Sequence, residues 1–125
     1  MGNKTNDEAI EVVWGLLGTI SVKKYLREKP TKAKDTEYIV INALPISVGP
    51  MQKCIVNVNY HVKDIEAGIA DHIKLVSGAQ ALFNILERVT APSYMIDLES
   101  QHTYQEMGLD EHFSNSRLSF KFVNK

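Results

Sequence analysis

Four histidines and one cysteine are the side chains best able to do chemistry in this chain, and their placement limits what that chemistry is. His102 and His112 fall in a polar stretch with Asp97, Glu99, Glu106 and Asp110. Imidazoles and carboxylates together ligate Zn²⁺ or Mn²⁺, so Asp97, His102 and His112 form one candidate metal set for a small metal-dependent hydrolase. Their spacing matches no compact motif such as H-E-x-x-H. The plainer reading makes them solvated loop residues, with no metal, cofactor or catalytic residue assigned. His61 lies on the polar face of a strand-like run, and His72 stands beside Asp71 on a helix. Cys54 follows Lys53 at the start of a strand, with no helix N-terminus to lower its thiol pKa, and reads as a small buried hydrophobe. Ser47-Val48-Gly49 and Ser77-Gly78 make no G-x-S-x-G elbow, and there is no P-loop or G-x-G-x-x-G. The sequence therefore predicts a protein that is not an enzyme.

The elements that must position these residues follow from periodicity. Cys54–Val62 alternates, with Val56, Val58, Tyr60 and Val62 on one face; in Arg117–Val123, Leu118, Phe120 and Phe122 do the same. This is the period of a half-buried strand. Thr36–Leu44 is an apolar, β-rich run and reads as an internal strand. Ser21–Leu26 is a short strand candidate, inside or outside the sheet. Tyr94–Leu98 is another strand, with Tyr94, Ile96 and Leu98 sharing a face. Two segments carry helical stripes. One is capped by Asn6 or Asp7 and bears Ala9, Ile10, Val13, Trp14, Leu17 and Ile20; the other runs from about Ile65 to Arg88 with Ile69, Ile73, Val76, Ala79, Phe83 and Leu86. Gly15 and Gly18 would admit a close neighbour, and Ser77-Gly78 would kink the second helix. Residues 1–6 read as a flexible start, Pro45–Lys53 as a wide hairpin loop, and Glu99–Glu111 as a polar connection. The order is α-β-β-β-α-β-β. The expected fold is α+β, a mostly antiparallel sheet with two helices packed on one face, in a single domain spanning 1–125.

Composition excludes some functions. At 125 residues, 44% hydrophobic and 23% charged, the chain has the make-up of one ordinary globular domain. A net charge of −1 gives no general attraction to nucleic acid or anionic membrane. No apolar run nears the roughly 18 residues that span a bilayer. The polar, acidic N-terminus is no secretory signal, and Asn6 stands where a myristoylation motif needs Ser or Thr. One cysteine rules out an internal disulfide.

Charge is unevenly placed. Lys23–Lys34 carries Lys23, Lys24, Arg27, Lys29, Lys32 and Lys34 against Glu28 alone, whereas Asp97–Glu111 carries Asp97, Glu99, Glu106, Asp110 and Glu111 with no Lys or Arg. If these segments sit on opposite flanks, the basic loop of one subunit meets the acidic loop of the next, and such a head-to-tail contact closes into a ring when the rotation allows. Lys29, Lys32, Lys34, Glu106, Asp110 and Glu111 are the interface residues this reading selects. Reversing the basic set would then lower the oligomer mass at low salt.

One family matches this order of elements. A helix leads to a basic segment and E-Y-I-V-I-N; after a Pro/Gly loop come C-I-V-N-V-N-Y-H-V-K-D, a helix near D-I-E-A-G-I-A-D-H-I, a strand Y-M-I-D-L-E-S and the ending E-H-F-S-N-S-R-L-S-F-K-F. From Glu8 to Phe122 the chain resembles the tail-completion, or tail-terminator, proteins of long-tailed bacteriophages and prophages. The resemblance lies in element order and strand character, not in an invariant motif. It implies a structural virion protein, made in the bacterial host cytoplasm, forming a ring that is commonly a hexamer. Such a ring caps the tail tube and joins the tail to the head connector. Its implied partners are copies of itself, the tube protein and the connector, with no membrane and no sequence-specific nucleic acid. A monomeric module that adds a strand or groove to a partner is the remaining alternative.

Overall fold

The computed structural model describes residues 2–124. It shows the expected α+β fold: α1 (Asn6–Leu16), β1 (Lys23–Leu26), β2 (Glu37–Ala43), β3 (Met51–Lys63), α2 (His72–Leu86), β4 (Arg88–Thr90), β5 (Tyr94–Glu106) and β6 (Glu111–Val123). The strands form one sheet in the order β1-β2-β3-β6-β5-β4. Every pairing is antiparallel except that of β1 with β2. Edge strand β1 thus belongs to the sheet, and β4 is a short strand that periodicity missed.

The two helices cover one face. Ile39 and Ile41 of β2, Cys54, Val56, Val58, Tyr60 and Val62 of β3, Ile96 of β5 and Leu118, Phe120 and Phe122 of β6 are all buried there. Register explains why they share a face: Ile41 pairs with Val58, Val56 with Leu118, and Phe120 with Ile96. Helix α1 adds Ala9, Ile10 and Val13, and α2 adds Leu75, Ala79, Leu82 and Leu86.

Several boundaries differ from expectation, each for a local reason. Helix α1 is capped by Thr5, not by Asn6 or Asp7: the Thr5 side chain accepts from Glu8 N while Glu8 bonds back to Thr5 N. The segment before it is tethered. Asn3 Oδ1 accepts from Gly49 N at 2.8 Å, and the fully buried Gln52 bonds both N–H and C=O of Lys4. Helix α2 starts seven residues later than expected, at His72, capped by Asp71, whose side chain accepts from Lys74 N. Asp64 holds the preceding turn by accepting from Gly68 N, where φ is +80°. Ile69 is therefore off the helix, and Ile73 and Val76 are exposed. Ser77-Gly78 makes no break in α2. Gly78 instead lies on the Tyr60 ring, while Gly15 has nothing within 4 Å of a would-be Cβ.

The largest correction concerns Glu99–Glu111. Most of it is strand: β5 and β6 form a long hairpin pairing Tyr94 with Phe122 through Glu106 with Glu111, closed by a turn at Gly108. A register shift between Leu98 and Ser100 keeps Gln101 and Thr103 on the helix side. No helix among the described residues is long and apolar enough to cross a membrane.

Candidate functional site

The helix-free face of the sheet carries a row of rings. Tyr38 of β2 stacks on His61 of β3 at 4.5 Å between centroids, His61 on Phe113 of β6 at 4.7 Å, and Phe113 on Tyr104 of β5 at 5.4 Å. These are cross-strand neighbours in register: Tyr38 with His61, His61 with Phe113, Phe113 with Tyr104. Beside them runs an amide ladder in which Asn57 donates to Asn42, and Asn115 donates to both Asn57 and Asn59.

The connection between β1 and β2 folds over one end of this face. It leaves a cavity of about 580 Å³ lined by Lys29, Lys34, Tyr38, His61, Glu106, Leu109 and Glu111, among others. The Lys29 ammonium lies 4.3 Å from the Tyr38 ring centroid. On the cavity floor, Glu111 Oε1 accepts from the Tyr38 hydroxyl and lies 3.1 Å from His61 Nδ1. Glu106 Oε2 is 3.8 Å from the same nitrogen. Only 8% of the His61 side chain and 10% of that of Glu111 are exposed, against 35% for Glu106.

Burial sets the protonation chemistry here. It pushes the His61 pKa below its ordinary value, outweighing the opposing pull of Glu111, so the ring is neutral at pH 7. Burial, with Glu111 nearby, raises the Glu106 carboxyl above its usual range. An imidazole between two carboxylates offers the donor types that a metal ion such as Zn²⁺ takes.

The residues selected from sequence go elsewhere or meet differently. Asp97 pairs with Arg88 on the β4–β5 ladder, at 3.3 Å. His102 sits exposed on the ring side, edge-on to Tyr104. His112 turns to the opposite side of the sheet and bonds the buried Asp64 at 2.7 Å. Asp97, His102 and His112 thus form no common site. Part of each charged segment meets within the one chain: Lys29 and Lys34 line the same cavity as Glu106 and Glu111. Glu111 is buried within its own chain, whereas Lys32, Lys34 and Asp110 are exposed. Cys54 is buried, and burial pushes its thiol up to about 11, the behaviour of a core residue.

His61 as a partner of Glu106 and Glu111 was not anticipated. The signal lay in the hairpin: had Tyr94–Glu106 been read as one strand, its turn would have set Glu106 across from Glu111. No protein-family model matches the chain, and no curated protein matches it significantly.

Proposed function

We propose that this chain is a structural assembly subunit that works as a ring, capping a phage tail tube and joining it to the head connector. The observation that carries the reading is an unpaired sheet edge beside an unpartnered apolar groove. Strand β4 pairs only with Met95–Asp97, so β5 from Glu99 to Glu106 has no outer neighbour among the described residues. Between this edge and α2 lies a groove lined by Val76, Ala79, Phe83, Gln101 and Thr103, with Val76 55% exposed. The opposite edge of the sheet is β1, which has no outer strand among the described residues.

A free edge offers a row of backbone donors and acceptors to another strand. Two different free edges on one subunit make a heterologous contact, the kind that generates rings. Charge favours the pairing of β1 of one copy with β5 of the next. Lys23 and Lys24 mark the first edge, and Glu99 the second. The cation–carboxylate attraction expected from sequence is thereby kept, but moved from the Lys29–Lys34 loop to β1. The tube-capping role itself rests on the resemblance in element order.

Light scattering across a concentration series tests the reading. The wild-type chain is expected to form a closed oligomer, and Val76→Glu, at an exposed position, to leave a folded monomer. A wild-type mass that stays monomeric at high concentration favours the alternative in which the same edge receives a strand from a different partner. Genes for a tail tube and a connector flanking its own would support the tail role; their absence would count against it.

A further inference from the structure

We propose that His61, Glu106 and Glu111 form a divalent-metal site, suited to Zn²⁺, that clips the tip of the β5–β6 hairpin to β3. The three ligand atoms, one from each of three strands, all lie within 4.8 Å of one another. Two ligands about 2.0–2.1 Å from a tetrahedral ion sit about 3.4 Å apart. The His61 Nδ1 separations from Glu111 and Glu106, 3.1 and 3.8 Å, bracket that spacing.

The surroundings call for a cation. Glu106 and Glu111 are direct cross-strand partners, an arrangement in which like charges repel. Among the described residues their one ion-pair partner is His61. The Lys29 ammonium of the cavity wall is placed over the Tyr38 ring. A metal ion between the carboxylates would remove the repulsion.

The donors are also held in place. Tyr38 and Phe113 sandwich the His61 ring, and the Tyr38 hydroxyl donates to Glu111, the outer support that metal ligands generally have. On binding, the ion takes the Nδ1 lone pair and the imidazole proton moves to Nε2. One nitrogen with two carboxylate oxygens favours Zn²⁺ over Mg²⁺, which prefers oxygen and keeps its waters. All three ligands line the cavity, from which water could complete the coordination. The inference is independent of ring formation.

Calorimetric titration of the chelator-stripped full chain with Zn²⁺ tests it, alongside Co²⁺ absorption as a report of coordination. The expected result is one ion per chain, with the intense visible d–d bands of four-coordinate Co²⁺ that vanish on addition of Zn²⁺. Glu106→Gln, which leaves the Tyr38–Glu111–His61 contacts in place, should weaken Zn²⁺ binding by at least roughly tenfold. His102→Gln should bind as the wild type does. No stoichiometric uptake at about 100 µM Zn²⁺, or equal binding by Glu106→Gln, overturns the proposal. Circular dichroism of Glu106→Gln confirms that the comparison is between folded chains.

Discussion

The two faces of this sheet are built on different physics. The helix-covered face is held by apolar side chains with no exposure, such as Val56, Val58, Ile96, Leu118 and Phe120. The other face is held by directional contacts: stacked rings, an amide ladder and a carboxylate network around His61. The first is insensitive to which apolar residue packs where, so long as volume is kept. The second depends on particular groups at particular registers. A face built that way has groups left over to bind something, and the candidate site lies there.

The comparison predicts unequal costs for truncation. Phe120→Ala removes a fully buried ring and should lower stability by about 3–5 kcal/mol. Tyr104→Ala, on the ring row but 47% exposed, should cost under about 1 kcal/mol. Urea midpoints at constant m-value measure both. Equal costs would mean that the two faces are equally sealed.

A second test uses Cys54, on the helix-covered face. Its thiol is pushed up to about 11 by burial, so alkylation of the folded chain at pH 8 should run about a hundredfold slower than in the unfolded chain. The linkage has a definite sign. The folded state holds this proton more tightly than the unfolded state, so its contribution is fully present below the unfolded pKa near 9 and is lost as pH rises to about 11. Tyr38 and Tyr60, raised by burial and by hydrogen bonds to Glu111 and Glu37, act in the same direction at higher pH. Stability should therefore fall above about pH 9, less steeply in Cys54→Ala. Rapid labelling at pH 8 in the folded state would show that β3 opens locally.

Gly78→Ala comes next in size. A Cβ there would lie 2.0 Å from Tyr60 Cε2 and 2.5 Å from Cδ2. Alanine gains about 1 kcal/mol of helix propensity. The ring must still move and give up its hydroxyl bond to Glu37, so a net loss of about 1–3 kcal/mol is expected. In a Tyr60→Ala background the loss should vanish, as a double-mutant cycle would show.

That glycine also marks how far the sequence could be read. The alternation in Cys54–Val62 and Arg117–Val123 exposes the helix-covered face directly, because one buried side and one polar side leave a period of two. Gly78 and Gly15 look alike in sequence; only the packing of Tyr60 distinguishes them. Helix α2 is apolar almost all round, so the stripe Ile69, Ile73, Val76, Ala79, Phe83 and Leu86 includes Ala79 and Leu86 of the core face but not Leu75 and Leu82. The polar run Glu99–Glu106 lacks apolar alternation because one side meets solvent and the other a groove, so its pattern reads as a polar connection. With that strand missed, the meeting of His61, Glu106 and Glu111 was out of reach, since it depends on hairpin register.

The amide ladder gives the most diagnostic test of the open face. Asn115 donates to Asn57 Oδ1 at 3.2 Å and to Asn59 Oδ1 at 2.7 Å. Its removal in Asn115→Ala leaves two acceptors without their donor. Were they sealed from water, each would carry a desolvation penalty of about 1–3 kcal/mol. Asn57, Asn59 and Asn115 are only partly buried, so water can replace the lost amide. The net cost should then be near 1 kcal/mol, measured by urea unfolding of the dilute monomer. The same substitution measured in an assembled state sharpens the contrast. A cost that stays near 1 kcal/mol leaves this face wet in the assembly, with the sheet edges making the contacts. A cost that climbs to several means that a neighbour covers the ladder, and the division between a packed face and an available one would have to be redrawn.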